Sequence, residues 1–315
     1  MTCPDRDAWF ETHTWQYPGR DPAELRALRG GRRVSVVLPA LDEEATVGTL
    51  VAGLLPLTRG HRDAPPLVDE LVVIDSGSTD RTREVAARAG ARVVVREDVL
   101  PGLDVRPGKG EVLWRSLAAT TGDIVVFLDS DLVEVDPEAL VPALLEPLLV
   151  RQDVRLVKGF YRRPLRLGAG EADTGGGRVT ELLVRPLLAA LQPDLSGVVQ
   201  PLGGEYAATR ELLESMPFAP GYGVEIGLLL DTHARHGLTA LAQANLGVRK
   251  HRNRSLLELG VMSRQILATV LRRGPDVDRG AGLVQFRQEH GAWLPVEHEV
   301  EERERPPMRE VRVRN

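Results

Sequence analysis

Asp129-Ser130-Asp131 closes an apolar run at residues 123–128 (DIVVFL). Two carboxylates two residues apart fall roughly to one side when the chain turns there. Hard divalent cations take oxygen ligands, and Mg²⁺ is commonly held by one or two carboxylates together with phosphate oxygens. The chemistry this permits is Lewis-acid stabilisation of a departing diphosphate. The same triplet could be a plain turn, since Asp and Ser both favour turns. Its position after a buried strand favours the metal reading.

Four other segments carry chemistry of the same kind. His251 lies in residues 249–254 (RKHRNR), where an imidazole can join a carboxylate on a divalent metal. The alternative is an exposed His in a basic run, but crowding Arg249, Lys250, Arg252 and Arg254 is costly unless a phosphate offsets it. Lys109 sits between glycines in RPGKG (106–110), where the backbone can approach a ligand closely and the ammonium can meet a phosphate; an ordinary loop Lys would read the same. GGGRVT (175–180) opens a helix, and N–H groups at a helix start beside Arg178 form an anion site or merely a capped linker. It is no P-loop, because the G-K-[ST] ending is missing. Glu225, after Gly221-Tyr222-Gly223, could orient or deprotonate an acceptor hydroxyl, or simply favour its helix dipole.

The elements that must position these residues follow from pattern. Residues 33–39, 68–75, 91–95 and 123–128 are short apolar runs and read as buried strands. Residues 43–57, a segment ending near Ala89 and capped by Ser78 or Thr79, and 111–121 read as helices between them. Strands alternating with helices predict a doubly wound, mostly parallel αβα sheet, in which ligands bind beyond the strands' carboxyl ends. Pro39-Ala40-Leu41, Asp75-Ser76-Gly77 and Asp129-Ser130-Asp131 all stand at such ends. Further on, 154–161 and 240–248 read as strands, 178–191, 223–236 and 255–272 as helices, and Gly203-Gly204-Glu205 as a tight turn. The segment 162–177 reads as a mobile loop. The division expected is an N-terminal extension (1–30) anchored by Trp9, Phe10, Trp15 and Tyr17, a nucleotide-binding αβα half (31–150), a helical half (151–275) and a charged, flexible tail (276–315).

Composition excludes several classes. The net charge of −5 leaves no global basic field for a polyanion, so anions must be held by local cations. Aromatic residues at 4 % provide no base-stacking platform, and nucleic acid is not expected as a partner. A single cysteine, Cys3, precludes an intrachain disulfide and fits a reducing cytoplasm. No signal peptide or apolar span is evident, so no membrane association is expected. No G-x-G-x-x-G follows the first strand and no G-x-S-x-G occurs, against dinucleotide oxidoreductases and α/β-hydrolases.

Taken together, the segments VSVVLPALDEE (34–44), VDELVVIDSGSTD (68–80), RPGKGEVLWRSLA (106–118), GDIVVFLDSDL (122–132), TGGGRVTELLVRPLLAAL (174–191), QPLGGEYAATRELL (200–213), PFAPGYGVEIGLL (217–229) and NLGVRKHRNRSLLELG (245–260) resemble the glucosyl-3-phosphoglycerate synthase family. These are retaining glycosyltransferases of the GT-A fold, and mannosyl-3-phosphoglycerate synthases share much of the pattern. The resemblance implies an α/β GT-A fold with a mixed, mostly parallel sheet, in which 31–150 is the nucleotide-sugar-binding half and 151–275 the acceptor-binding half. It implies transfer of glucose from an NDP-glucose, most commonly UDP-glucose, to the 2-hydroxyl of 3-phosphoglycerate, with mannosyl transfer from GDP-mannose as the alternative. Carried over residue by residue, Pro39, Ala40, Leu41 and Glu43 hold uracil and ribose, and Ser76 and Lys109 add nucleotide contacts. Asp129 and Ser130 lie with them, Asp131 ligates the cation directly, and His251 is its second ligand. Gly177, Arg178 and Thr180 cradle the acceptor phosphate with Asn253 nearby, and Tyr222 and Glu225 stand by the sugar. The implied cofactor is Mg²⁺, with Mn²⁺ or Co²⁺ as alternatives. A homodimer is implied, with 178–191 and 255–272 as candidate interfaces. No nucleophile stands out, so same-face attack is the expected route to retention.

Overall fold

The apolar runs of the first half become parallel neighbours because neither face of them tolerates water. The computed structural model describes residues 4–312, except 17–18, 61–64, 134–135, 163–164, 168–169, 173–176, 249–254, 275–281, 290–291 and 302. Its strands are β1 (Thr14–Trp15), β2 (Val34–Ala40), β3 (Glu70–Asp75), β4 (Arg92–Val95), β5 (Ile124–Phe127), β6 (Leu156–Arg162), β7 (Leu165–Leu167), β8 (Gly170–Ala172), β9 (Tyr206–Thr209), β10 (Leu241–Val248), β11 (Gly282–Glu289) and β12 (Ala292–Glu299). Its helices are α1 (Pro4–Thr12), α2 (Pro22–Arg29), α3 (Val47–Leu54), α4 (Thr82–Ala89), α5 (Lys109–Ala119), α6 (Pro137–Val150), α7 (Arg185–Leu191), α8 (Arg210–Ser215), α9 (Val224–His236), α10 (Leu256–Arg272) and α11 (Met308–Arg312).

Eight strands form one sheet in the order β1-β10-β6-β9-β5-β2-β3-β4. Alternation along β2 sends Val34, Val36, Leu38 and Ala40 into one core layer and Val37 into the other. β5 does the same, with Ile124 and Val126 on one side and Val125 and Phe127 on the other. Such a sheet must be covered on both faces, which is what crossover helices do.

One strand breaks the parallel pattern. β9 runs antiparallel to both β5 and β6, with Tyr206 opposite Phe127 and Lys158. An antiparallel strand enters where its neighbours leave. The turn Gly203-Gly204-Glu205 is thereby delivered to the edge at which Asp129-Ser130-Asp131 exits β5. The sheet also runs unbroken through both expected halves and takes its edge strand β1, paired with β10, from residues 1–30.

Several details depart from the sequence reading. The start of α4 is capped by neither Ser78 nor Thr79: Asp80 accepts from the Thr82 amide at 2.9 Å. The segment 178–191 is helical, but residues Thr180–Val184 widen into a π turn before α7. Within 162–177, β7 and β8 pair antiparallel where a structureless loop is expected. Of the proposed N-terminal anchors, Trp9 is buried, Trp15 is partly buried against the core, Phe10 is exposed, and Tyr17 lies outside the described residues. The sequence reading assigns nothing to 137–150, where α6 forms despite Pro142 and Pro147, with Pro137 at its start and Asp136 as cap.

The largest departure is the C-terminal segment. It is no free tail: β11 and β12 form an antiparallel hairpin, Phe218 and Arg305 exchange backbone hydrogen bonds, and Met308 is fully buried. Arg305 donates to both carboxylate oxygens of Glu111 at 2.6 and 2.9 Å, while Arg115 donates to Glu111 at 2.6 Å. Trp114 Nε1 donates to the Pro306 carbonyl at 2.9 Å, and the Arg305 guanidinium lies 5.0 Å from the Trp114 ring. Arg305, a charge that reads as solvated in sequence, is therefore paired and buried against α5.

Candidate active site

The pocket at the carboxyl ends of β2, β3 and β5 has a volume of about 390 Å³. Pro39, Ala40, Leu41, Glu43, Ser76, Lys109, Asp129, Ser130, Asp131 and Tyr222 line it, with Gly108, Val112, Gly221 and Gln265. Ten of the sequence candidates thus share one cavity, although they are spread from residue 39 to residue 222.

Each wall has a local cause. Ser130 Oγ donates to the Pro39 carbonyl, tying the end of β5 to the end of β2. Residues 41–44 are fastened to the start of α4: Asp42 accepts from the Thr79 amide at 2.8 Å, and the Glu43 amide donates to Thr82 Oγ1 at 2.7 Å. Asp42 takes a φ of 54° there, an uncommon conformation that Asp tolerates better than most residues. Leu41 remains 54 % exposed, presenting an apolar face to the opening. Ser76 Oγ accepts from Arg96 at 3.2 Å. Across the pocket, Gln265 of α10 accepts from the Tyr222 amide at 3.0 Å.

Lys109 is placed by the first turn of α5, after Gly108 at a φ of 97°. A Cβ at Gly108 would lie 2.8 Å from Gly221 Cα, so both the conformation and the close approach demand glycine. Lys109 Nζ bridges Asp129 at 2.5 Å and Glu225 at 2.7 Å. Burial pulls its pKa down, but the Asp129 and Glu225 carboxylates outweigh that and hold it well above the ordinary value. The ammonium is thus fixed as a cation between two carboxylates. Pairing of Lys109 with Asp129 and Glu225 carries no signal in the sequence.

Asp131 has the opposite problem. Burial, followed by the neighbouring charges of Asp129, Glu43 and Glu205, raises its pKa from 3.8 to about 6. A carboxylate pressed among carboxylates is a hard-oxygen site that favours a cation. The carboxylates crowded around Asp131 therefore fit a divalent ion. Among the described residues no three His, Cys, Asp or Glu side chains close a complete ligand set. His251 and Asn253 lie outside the described residues. Gly177, Arg178 and Thr180 stand at the start of the widened helix, apart from this pocket's lining; Gly177 takes a φ of 79° and Thr180 is buried.

The sequence reading missed Gln265, Val112 and Gly204. Gly204 packs so closely that a Cβ would lie 2.1 Å from Asp129 Oδ2. The doublet Gly203-Gly204 was its available signal, legible as a turn but not as the back of a carboxylate. Gln265 had none, being one polar residue on a helix.

A mixed sheet that ends in Asp129-Ser130-Asp131 beside the exposed Leu41 and Asp42 at the end of β2 is the site of a GT-A glycosyltransferase using a nucleotide-sugar donor. The model of glycosyl transferase family 2 matches residues 35–163. Glucosyl-3-phosphoglycerate synthase of Mycolicibacterium smegmatis is 58 % identical over 306 residues, covering 97 % of this chain and 99 % of that protein. The enzyme of the same name from Petrotoga mobilis is 39 % identical, over 88 % of this chain and 86 % of that protein. This chain belongs to the glucosyl-3-phosphoglycerate synthase family. The solved structure of the Mycobacterium tuberculosis synthase with Mn²⁺, UDP and glucosyl-3-phosphoglycerate superposes with a TM-score of 0.85 at 56 % identity, covering 95 % of this chain and 99 % of that one. The same protein has been solved with Mn²⁺ and UDP-glucose, at a TM-score of 0.85 and 55 % identity over 95 % of this chain and 98 % of that one.

Proposed function

We propose that this chain transfers glucose from UDP-glucose to the 2-hydroxyl of 3-phosphoglycerate with retention, giving glucosyl-3-phosphoglycerate. The observation that carries the reading is the single pocket in which Asp131, Lys109 and residues 39–43 at the end of β2 meet. The Mycobacterium tuberculosis synthase has been solved with UDP-glucose and with phosphoglyceric acid, and the relationship extends over almost the whole chain. A divalent cation, Mg²⁺ or Mn²⁺, offsets the charge of the departing diphosphate when bound.

The chain's own residues divide the remaining work. Pro39, Ala40, Leu41 and Glu43 grip uracil and ribose, and Ser76 adds a further nucleotide contact. Asp131 and His251 hold the cation, and Asp129 and Ser130 fix the strand end beside it. Lys109 keeps Asp129 and Glu225 apart and in register, with Glu225 and Tyr222 aligning the sugar and the acceptor hydroxyl. Attack comes from the face the diphosphate leaves, and the departing phosphate oxygen accepts the hydroxyl proton. Trapping of a glycosyl adduct on any side chain would refute that route. A cytoplasmic homodimer is part of this reading, supported by the cysteine content and the family; light scattering giving a monomer mass would remove the dimer.

Donor choice is tested by assaying release of UDP or GDP from UDP-glucose, GDP-glucose and GDP-mannose with 3-phosphoglycerate. UDP-glucose is expected to give the highest kcat/KM, and a preference for GDP-mannose would overturn the glucosyl reading.

The acceptor phosphate is assigned to Gly177, Arg178, Thr180 and Asn253. Helix starts offer free N–H donors to anions, and π turns in helices recur at functional sites. Arg178→Ala is expected to raise KM for 3-phosphoglycerate by about tenfold or more, the loss of one charge-assisted contact, while UDP affinity stays level. An unchanged acceptor KM would reject the cradle.

A further inference from the structure

Beneath the pocket lies a buried cation that the proposed reaction leaves without a task. Lys158, on β6, is 2 % exposed, and its Nζ donates to the Gly203 carbonyl at 2.6 Å. The ammonium also sits 4.6 Å from the centroid of the Tyr206 ring. Desolvating an ammonium at this depth is expensive, and burial pulls its pKa down to about 8. A leucine or methionine would fill such a place at lower cost, so the polar contact that Lys158 makes calls for an explanation.

The contact ends on the turn that backs Asp129. Gly203 donates to the Gln200 carbonyl at 3.0 Å, and the Glu205 carbonyl accepts from the Gly159 amide at 2.8 Å. A Cβ at Gly203 would lie 2.8 Å from the Gly159 carbonyl oxygen, and one at Gly204 would lie 2.1 Å from Asp129 Oδ2. The backbone of the turn is thus wedged between β6 and the Asp129 carboxylate, with no room for a side chain on either side. The other Asp129 oxygen takes Lys109 at 2.5 Å. A continuous path of contacts runs from Lys158 through Gly203-Gly204 to Asp129 and on to Lys109 and Glu225.

From this path we infer that Lys158 is a positioning residue, whose hydrogen bond to Gly203 seats the glycine turn against Asp129 and so sets the wall of the pocket beside Asp131. The inference rests on reading that pocket as the cation and nucleotide-sugar site. Lys158 is not among the residues that line the pocket, and acts only through the turn. Side chains that orient a metal site from behind its ligands typically alter affinity or activity ten- to a hundredfold when removed.

Lys158→Met keeps the length of the side chain and its packing on Tyr206 while deleting the donor. Mn²⁺ binding in saturating UDP, followed by electron paramagnetic resonance, is expected to weaken about tenfold, with a matching rise in KM for UDP-glucose and a smaller change in kcat. Lys158→Gln, which retains an N–H donor, should recover part of the affinity. Gly204→Ala attacks the same contact from the other side and should weaken Mn²⁺ binding in the same direction. A folded Lys158→Met protein with wild-type Mn²⁺ affinity and KM overturns the inference. Should Lys158→Met fail to fold, Gly204→Ala decides: wild-type Mn²⁺ affinity in that variant overturns it equally. Absence of Mn²⁺ binding by the wild-type protein with UDP would instead sink the reading of the pocket itself.

Discussion

Asp131→Asn is expected to abolish glucosyl transfer and, in the same protein stripped of metal, to raise the melting temperature. Both effects come from one carboxylate. Its raised pKa means that ionisation is less favourable in the fold than in the unfolded chain. The sign follows directly. For a carboxyl with a raised folded pKa, stability is present below the unfolded value near 3.8 and is lost as pH rises to about 6. Above that pH the metal-free fold carries the cost of a charge crowded by Asp129, Glu43 and Glu205. The shift corresponds to about 1–3 kcal/mol once partial solvent screening is allowed for. Asn removes the charge and keeps the shape, so the variant should melt a few degrees higher in EDTA at neutral pH. The advantage should vanish near pH 4, where the wild-type carboxyl is also neutral. Activity should fall at least about a hundredfold, because Asn is a weak ligand for a hard cation. Differential scanning fluorimetry across pH, beside a UDP-release assay, checks both. A variant that is inactive but no more stable would mean that Asp131 is not strained by its neighbours. A stabilised variant with full activity would mean that it is not the ligand.

The second large effect concerns stability far from the pocket. Glu111 is 3 % exposed and pairs with two guanidinium groups, Arg115 and Arg305, the first of which is fully buried. Arg115 also donates to the carbonyls of Val99, Leu103 and Asp104, and Arg305 to that of Asp104. Glu111→Gln leaves two buried cations close together, without the one carboxylate that pairs with both among the described residues. Removing one partner of a buried ion pair typically costs about 3–5 kcal/mol, and that range is expected here. Arg305→Met should cost less, about 1–3 kcal/mol, because Arg115 still answers Glu111 while the bonds of Arg305 are lost. Urea denaturation of the two variants gives the comparison. Equal costs would mean that Arg115 and Arg305 do not share the Glu111 charge. Because α5 begins at Lys109, both variants also probe whether the C-terminal segment steadies the site through that helix.

Much of this was legible in the chain. Apolar runs such as 34–40 and 123–128 mark strands because burial on both faces imposes a composition that no exposed segment needs. Strand ends mark the site because ligands of parallel sheets gather there, so Pro39, Ser76 and Asp131 could be placed together without coordinates. The family segments, read as a set, narrowed the acceptor to a small phosphorylated acid.

What the sequence could not carry was pairing at long range. The bond between Glu111 and Arg305 spans 194 residues, and in sequence the segment that bears Arg305 looks like any solvated charged stretch. The same holds for Lys109 between Asp129 and Glu225, and for Gln265 against Tyr222. Antiparallel β9 was equally hidden, because strand direction depends on neighbours and leaves no trace in a short apolar run. Asp129-Ser130-Asp131 announced oxygen ligands by residue type alone. That Asp129 would be spoken for by Lys109 and backed by Gly204, with Asp131 left as the strained carboxylate, was decided only when the tertiary structure brought four distant segments to one strand end, where burial turns spacing into charge.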